Sequence, residues 1–487
     1  MESFEESVTL DDMSTDDFRS SAHQLIEWIA NYSEQIEAFP VLSKVEPGDI
    51  RSRCESRLKS EGESYQDIFQ DFESIILPGL THWNHPSFFA YFADGGSGPG
   101  LLGEMLAAAL NINAMVWKTS PAGTELEEAT LDILRLLVGL PDGFFGVIND
   151  TASSSSLYAL AAARNKVFPD VGREGLFGLP KGRIYTSEQS HFSIDKAAMT
   201  LGLGIEGVCK IGVDEQYRMD PIRLRKAIES DLQNGVVPVA IVVTIGTTSS
   251  SSVDPVDEIS KIATEHDIWL HVDAAYGGPA AILPELRKYF IGWERADSIV
   301  INAHKWLFTP VDCSVLYCQY PDQLRKAFSI IPEYLQGGAD TTGTNLMDYG
   351  VSLGRRFRSL KLWFVLRYFG EKGLRKGIRG HCEMARQFSQ WIQEHLEWEL
   401  VAPTPFSTVV FRYVGKGLTQ EQEDACNLGI LDEVNSTGEM FISDTRLGGQ
   451  VVLRLSIGNI QSKERHIENA WNLLRKASIK VTGRGLA

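Results

Sequence analysis

Between Gly95 and Arg375, short apolar runs alternate with longer amphipathic stretches. "FFGVIN" reads as a strand leading into "TASSSSLYALAAARN", a helix; "VPVAIVVTIG" reads as a strand, "PVDEISKIATEH" as a helix and "IWLHVD" as the next strand. This alternation is the signature of βαβ units and a mostly parallel sheet. It also restricts where chemistry can sit, because open α/β sheets bind ligands at the carboxyl ends of their strands.

The flanks have a different character. The first eighty residues read as helices: Ser14 and Asp17 make a capping-box-like start, and Phe18, Leu25, Ile29 and Tyr32 recur at helical spacing. After Pro47-Gly48, the residues Ile68, Phe72, Ile75 and Ile76 form a second stripe, suited to covering either this subunit or a partner. Beyond a long helical stretch, "LKLWFVLRYFGEKGLRKGIRGHCEMARQFSQWIQEH", the tail offers the strands "TVVFRYV" and "VVLRLSIG" and a closing helix, "SKERHIENAWNLLRKA". The expected organisation is a helical N-terminal dimerisation segment (1–95), a large α/β domain (96–375) and a small α+β domain (376–487).

With 487 residues, 43% hydrophobic and 23% charged, the chain has the makeup of a soluble globular enzyme. A formal net charge of -18 argues against nucleic-acid binding, which needs clustered Lys and Arg. The acidic start "MESFEESVTLDDMSTDD" has neither a basic n-region nor an apolar h-region, and the longest apolar run, "VVPVAIVVTIG", is too short to span a bilayer. Cys54, Cys209, Cys313, Cys318, Cys382 and Cys426 form no CxxC pair, so reduced cysteines, a cytoplasmic location and no metal site are expected.

Three short stretches carry chemical potential. Thr151-Ala152-Ser153 lies between a strand and its helix, where hydroxyls and free N–H groups suit a phosphate, though ordinary N-capping explains it as well. Asp273 in "HVDAAYGG" ends an apolar strand, where a carboxylate keeps a heterocyclic nitrogen protonated or simply caps a turn; Ala274 and Ala275 leave room for a flat ring. Lys305 in "NAHKW" is costly between apolar runs unless it reaches water. Desolvated, its amine attacks a carbonyl to give a Schiff base. Together, a phosphate cup, an acid for a ring nitrogen and a Schiff-base lysine are what pyridoxal 5'-phosphate (PLP) requires.

The motifs "THWNHPSFFAYF", "SPAGTELE", "HVDAAY", "NAHKWL" and "LGRRFRSLKLWFVLR", in this order over nearly the whole chain, resemble the group II PLP-dependent decarboxylases of fold type I. Within that group the likeness is to aromatic-L-amino-acid decarboxylases. The resemblance implies a seven-stranded-type, mostly parallel sheet flanked by helices, and a homodimer. It implies that Lys305 bonds the cofactor, that Asp273 pairs with the pyridine nitrogen, and that Ala275 and His191 lie on the two ring faces. Thr151, Ala152 and Ser153 correspond to the phosphate cup, assisted by Thr248, Asn302 and His304. Tyr349 matches the mobile-loop tyrosine proposed to protonate Cα, within Gly- and Thr-rich flanks ("LQGGADTTGTN") suited to a lid.

Trp83, Tyr91, Phe92, Asn113, Met115 and Gly354 correspond to substrate walls, Asn113 and Met115 across a dimer interface. The implied reaction is decarboxylation of tryptophan, tyrosine, phenylalanine or DOPA to the arylalkylamine. The alternatives are an aldehyde synthase, in which Tyr349 is typically phenylalanine, and a histidine decarboxylase. The chain departs from the pattern in three places. Ala93-Asp94 replaces the usual Pro-Thr, the segment from Tyr349 to Gly354 is shortened as in bacterial members, and Asn113 and Met115 stand where Ile and Phe are more usual.

Overall fold

The computed structural model describes residues 10–92, 94–330 and 343–483. Ala93 and most of the expected lid stretch "LQGGADTTGTN" lie outside the described residues.

The alternating pattern forms a seven-stranded sheet of β1 (Phe145–Asn149), β2 (Gly182–Ser187), β3 (Val208–Ile211), β4 (Val237–Thr244), β5 (Trp269–Asp273), β6 (Ser298–Asn302) and β7 (Ser314–Cys318), in the order β1-β7-β6-β5-β4-β2-β3. Pairings among β2 to β6 are parallel, whereas β7 runs antiparallel to both β6 and β1. Strand β1 therefore points the same way as β2 to β6. Helices cover both faces, so the strands read as continuous apolar runs, and the last six residues of β4 are all buried. The carboxyl ends of β1, β2, β4, β5 and β6 consequently share one edge of the sheet.

A second sheet is antiparallel: β8 (Trp398–Leu400), β9 (Thr408–Tyr413), β10 (Ser443–Leu447) and β11 (Gln450–Ser456), in the order β10-β11-β9-β8. Its cluster of buried residues includes Trp398, Phe411, Leu455 and Trp471. The connecting helix, Arg358–Gln393, is broken at Gly370, whose backbone (φ 60, ψ 177) suits glycine and interrupts the helical ladder. A buried polar contact links the flanks of the two sheets, the Tyr276 hydroxyl lying 2.8 Å from Ser407 Oγ, and Trp306 Nε1 donates to His381 Nδ1 of the connecting helix at 2.9 Å.

At the N-terminus, helix Thr15–Glu34 begins as expected, with the Asp17 N–H donating to Ser14 Oγ at 3.1 Å. Trp28 packs edge-on against Phe69 and Phe72, so part of the two apolar stripes is mutual. Most of the remaining stripe residues are partly buried, whereas Phe18 and Ile68 stay exposed at 63% and 56%. Another apolar face lies on helix Gly98–Leu110, where Leu102, Leu106 and Leu110 recur four residues apart and are exposed.

Candidate active site

The reversed strand β7 explains the local fold around the lysine. The lysine of "NAHKW" lies between two strands as expected, and Ala303–Trp306 form one helical turn that begins the reversal from β6 to β7. The turn leaves Lys305 partly buried at the sheet edge, while His304 and Trp306 are buried. Its Nζ lies 4.8 Å from the centre of the Phe92 ring. Burial holds the ammonium below the usual lysine range, opposed by the charges of Asp273 and Asp94 and reinforced by that of Arg454.

Asp273 ends β5 beside β6 and is buried, with Oδ1 accepting the Ala275 N–H at 3.1 Å. The Asn302 N–H donates to the Ala275 carbonyl at 3.1 Å, fixing the two strand ends together. His191, four residues beyond β2, lies within the fields of both Asp273 and Lys305; desolvation holds its ring below the usual histidine range. Its Nδ1 accepts the Ser193 N–H at 3.2 Å, which places the proton of the neutral ring on Nε2.

His304 Nδ1 accepts the Cys313 N–H at 2.9 Å, and its Nε2 lies 3.3 Å from the Asn302 carboxamide. Burial, with Lys305 adjacent, holds this imidazole down at about 4.

At the end of β1, Thr151 and Ser153 are exposed and Ala152 is partly buried, opening the N-terminus of helix Ala152–Val167. Thr151 Oγ1 accepts the Ser154 N–H at 3.4 Å, and the first-turn N–H groups have no intrahelical acceptors. Thr248 follows β4 on the same edge, partly buried beside the hydroxyl cluster of Thr247, Ser250 and Ser252. Asn302 Oδ1 and Thr244 Oγ1 are buried with no hydrogen-bond partner among the described residues. An exposed anion cup, unpartnered buried oxygens, a strand-end carboxylate and a desolvated lysine on one edge fit PLP.

The expected wall residues divide between the lysine and other places, and the Tyr91 carbonyl accepts from Arg454 Nη2 at 3.3 Å. Phe92 is at the lysine, stacked on Tyr276 with centroids 4.1 Å apart, but Trp83 and Tyr91 form an exposed stacked pair at 6.0 Å. Asn113, Met115 and Gly354 cluster together: Asn113 Oδ1 accepts the Arg355 N–H at 2.9 Å and Asn113 Nδ2 lies 3.5 Å from Met115 Sδ. Arg355 ties this cluster to β1 by donating to the Ile148 carbonyl at 2.6 Å and pairing with buried Glu127 at 2.9 Å.

Tyr349 packs against Phe145, centroids 4.6 Å apart, at the start of β1. The register places Asn149, not Phe145, beside Ser314 and hence Asn302, so Tyr349 lies toward the opposite sheet end, about 13 Å of strand away. Two residues beside Lys305 were not assigned to its setting by sequence reasoning. Arg454 reaches in from β11, its Cζ 5.3 Å from the Phe92 ring centre and its Nη1 donating to Ser443 Oγ at 3.1 Å. Its signal was an arginine in the apolar run "VVLRLSIG". Asp94 reads from the sequence as an extra carboxylate near the pocket, bearing on carboxylate or amine recognition, but not as a neighbour of Lys305.

Residues 47–414 match the family model described as the pyridoxal-dependent decarboxylase conserved domain. Tryptophan decarboxylase 2 of Oryza sativa subsp. japonica is 40% identical over 482 residues, covering 97% of this chain and 96% of that protein. Phenylacetaldehyde synthase of Arabidopsis thaliana is 40% identical over 477 residues, covering 95% and 96% respectively. The crystal structure of Oryza sativa TDC with PLP and tryptamine superposes with a TM-score of 0.93 at 35% identity, covering 97% of this chain and 99% of that one. A match that spans both the sheet edge bearing Lys305 and most of the remaining chain leaves one conclusion: this protein belongs to the pyridoxal-dependent decarboxylase family.

Proposed function

We propose that the chain is a cytoplasmic homodimer that decarboxylates aromatic L-amino acids to arylalkylamines with PLP. The observation that carries this reading is the shared, desolvated setting of Lys305 and Asp273 at the carboxyl edge of the sheet. Relatives named for tryptophan and tyrosine decarboxylation, each 40% identical over nearly the full chain, support the aromatic substrate class.

In this reading, Lys305 would hold the cofactor through Nζ, and Thr151, Ala152 and Ser153 would hold its phosphate at the helix N-terminus, with Thr248, Asn302 and His304 assisting. Bound there, PLP would supply a sink for the electron pair released when the substrate's carboxylate departs as CO2. Asp273, buried at the end of β5, would hold a proton on the ring nitrogen. His191, neutral and flat, would cover one ring face and exclude water, and Ala275 would lie against the other. Phe92 lines the floor; Trp83, Tyr91, Asn113, Met115 and Gly354 complete the substrate walls once two chains associate.

Tyr349 would supply the proton to the substrate's Cα. Its place toward the far sheet end supports a role in the site of a second copy. The exposed leucines of helix Gly98–Leu110, with exposed Phe18 and Ile68 of the 1–95 segment, support such pairing. The 96–375 and 376–487 segments then act as the cofactor-binding and small domains.

An aldehyde synthase is the second reading, favoured by the 40% identity to a phenylacetaldehyde synthase. Tryptophan, tyrosine, phenylalanine and DOPA, each assayed with product identification, separate the two. Amine and CO2 are expected; aldehyde with equimolar hydrogen peroxide overturns the primary reading. Lys305→Ala is expected to abolish amine formation in a folded protein.

A further inference from the structure

The lysine pocket contains one more carboxylate than the chemistry above uses. Asp94 lies on the segment between Phe92 and helix Gly98–Leu110. That segment is pinned against the lysine's own neighbourhood. Gly95 packs so closely on Asn459 that a Cβ would stand 3.2 Å from its Cα, and a Cβ on Gly96 would stand 3.3 Å from Pro310 Cγ. Ser97 Oγ donates to the Phe308 carbonyl at 2.7 Å.

Held this way, Asp94 Oδ1 is sealed from solvent and has no hydrogen-bond partner among the described residues. The N-cap of the following helix is Ser97, so Asp94 is not spent on capping.

The contrast with Asp273 is informative. Asp273 Oδ1 has a backbone donor, the Ala275 N–H. Lys305 is the charged group that favours ionised Asp94, and Asp94 in turn joins Asp273 in favouring the cationic lysine. Arg454 is the opposing cation, and His191 faces the same charges as a neutral ring. A buried carboxylate with no local donor is costly to retain unless its field is used.

We propose that Asp94 is a second counter-ion for the Lys305 nitrogen, holding that nitrogen cationic both in the free lysine and when it carries the cofactor. It is a positioning residue that acts through Lys305, and the proposal rests on Lys305 being the cofactor's lysine. A cationic nitrogen makes the attached carbon more electrophilic toward an incoming amine, so the counter-ion keeps the resting site receptive. Burial raises the Asp94 carboxyl to about 6. The counter-ion is therefore charged above that pH and fades below it.

The test is Asp94→Asn, which keeps the side-chain shape and removes the charge. Two titrations are read against wild type: the pH midpoint of the visible absorbance of the cofactor-loaded enzyme, and the pH midpoint for labelling Lys305 with formaldehyde and cyanoborohydride in the cofactor-free chain, by peptide mass spectrometry. Both midpoints are expected to fall by about one pH unit or more, and Asp94→Glu is expected to restore them partly. Unchanged midpoints overturn the proposal; should the asparagine variant not fold, Asp94→Ser is read the same way. Borohydride reduction of wild type keeps the two ideas apart. Cofactor fixed on Lys305 with unmoved midpoints overturns the Asp94 role alone. Cofactor fixed on another lysine overturns both.

Discussion

Lys305 illustrates how far a single residue can be read. From sequence, its cost between apolar runs was visible but its use was not; Asp273 and the Thr151–Ser153 turn were needed to give it meaning. Its charge environment was less legible, because Arg454 arrives from a strand of the other sheet and periodicity does not indicate which distant strand faces which pocket. Removing Arg454's charge should act opposite to Asp94→Asn. In Arg454→Met, the Lys305 labelling midpoint should rise by about one pH unit, since the nearby cation disfavours the ammonium. Tyr349 marks the limit of motif matching, which assigned it a role but could not say which copy's site it serves.

At the level of elements, the strands and helices quoted from the sequence all formed, because long apolar runs and 3.6-residue periodicity persist over several turns. The turn Ala303–Trp306 was missed, since four residues are too few to show a period and the reversal into β7 is decided by pairing. The buried Glu127–Arg355 pair joins helix Pro121–Val138 to the end of β1: Glu127 Oε1 accepts the Ile148 N–H at 2.8 Å while Arg355 donates to the Ile148 carbonyl. Glu127→Ala leaves a buried guanidinium without its counter-charge. It should cost about 3–5 kcal/mol, read as a lower denaturant midpoint. Because the proposed phosphate cup begins three residues beyond Ile148, the same variant should also bind PLP more weakly.

For the whole molecule, association and pH are the accessible tests. If Tyr349 serves a second copy, chains carrying Lys305→Ala mixed with chains carrying Tyr349→Phe should regain amine formation, since a mixed dimer has one site with both groups. No recovery in mixed dimers would place the phenol in its own chain's site. Burial holds His85, His271, His304 and His381 down at about 4, while it raises Asp94, Asp254 and Asp297 to about 6. The histidine contribution is complete above about 6.5 and is lost as pH falls toward 4; the aspartate contribution is present below about 3.8 and is lost as pH rises through 6. The two oppose each other between 4 and 6. Above pH 6 the histidines dominate, so the melting temperature should rise from pH 6 to 7. The pairing of β1 with β7, Asn149 opposite Ser314, also bears on biosynthesis. A ribosome must deliver the chain past Cys318 before β1 has its neighbour, so the proposed phosphate cup is finished late and nascent chains released earlier would be poor competitors for the cell's cofactor pool.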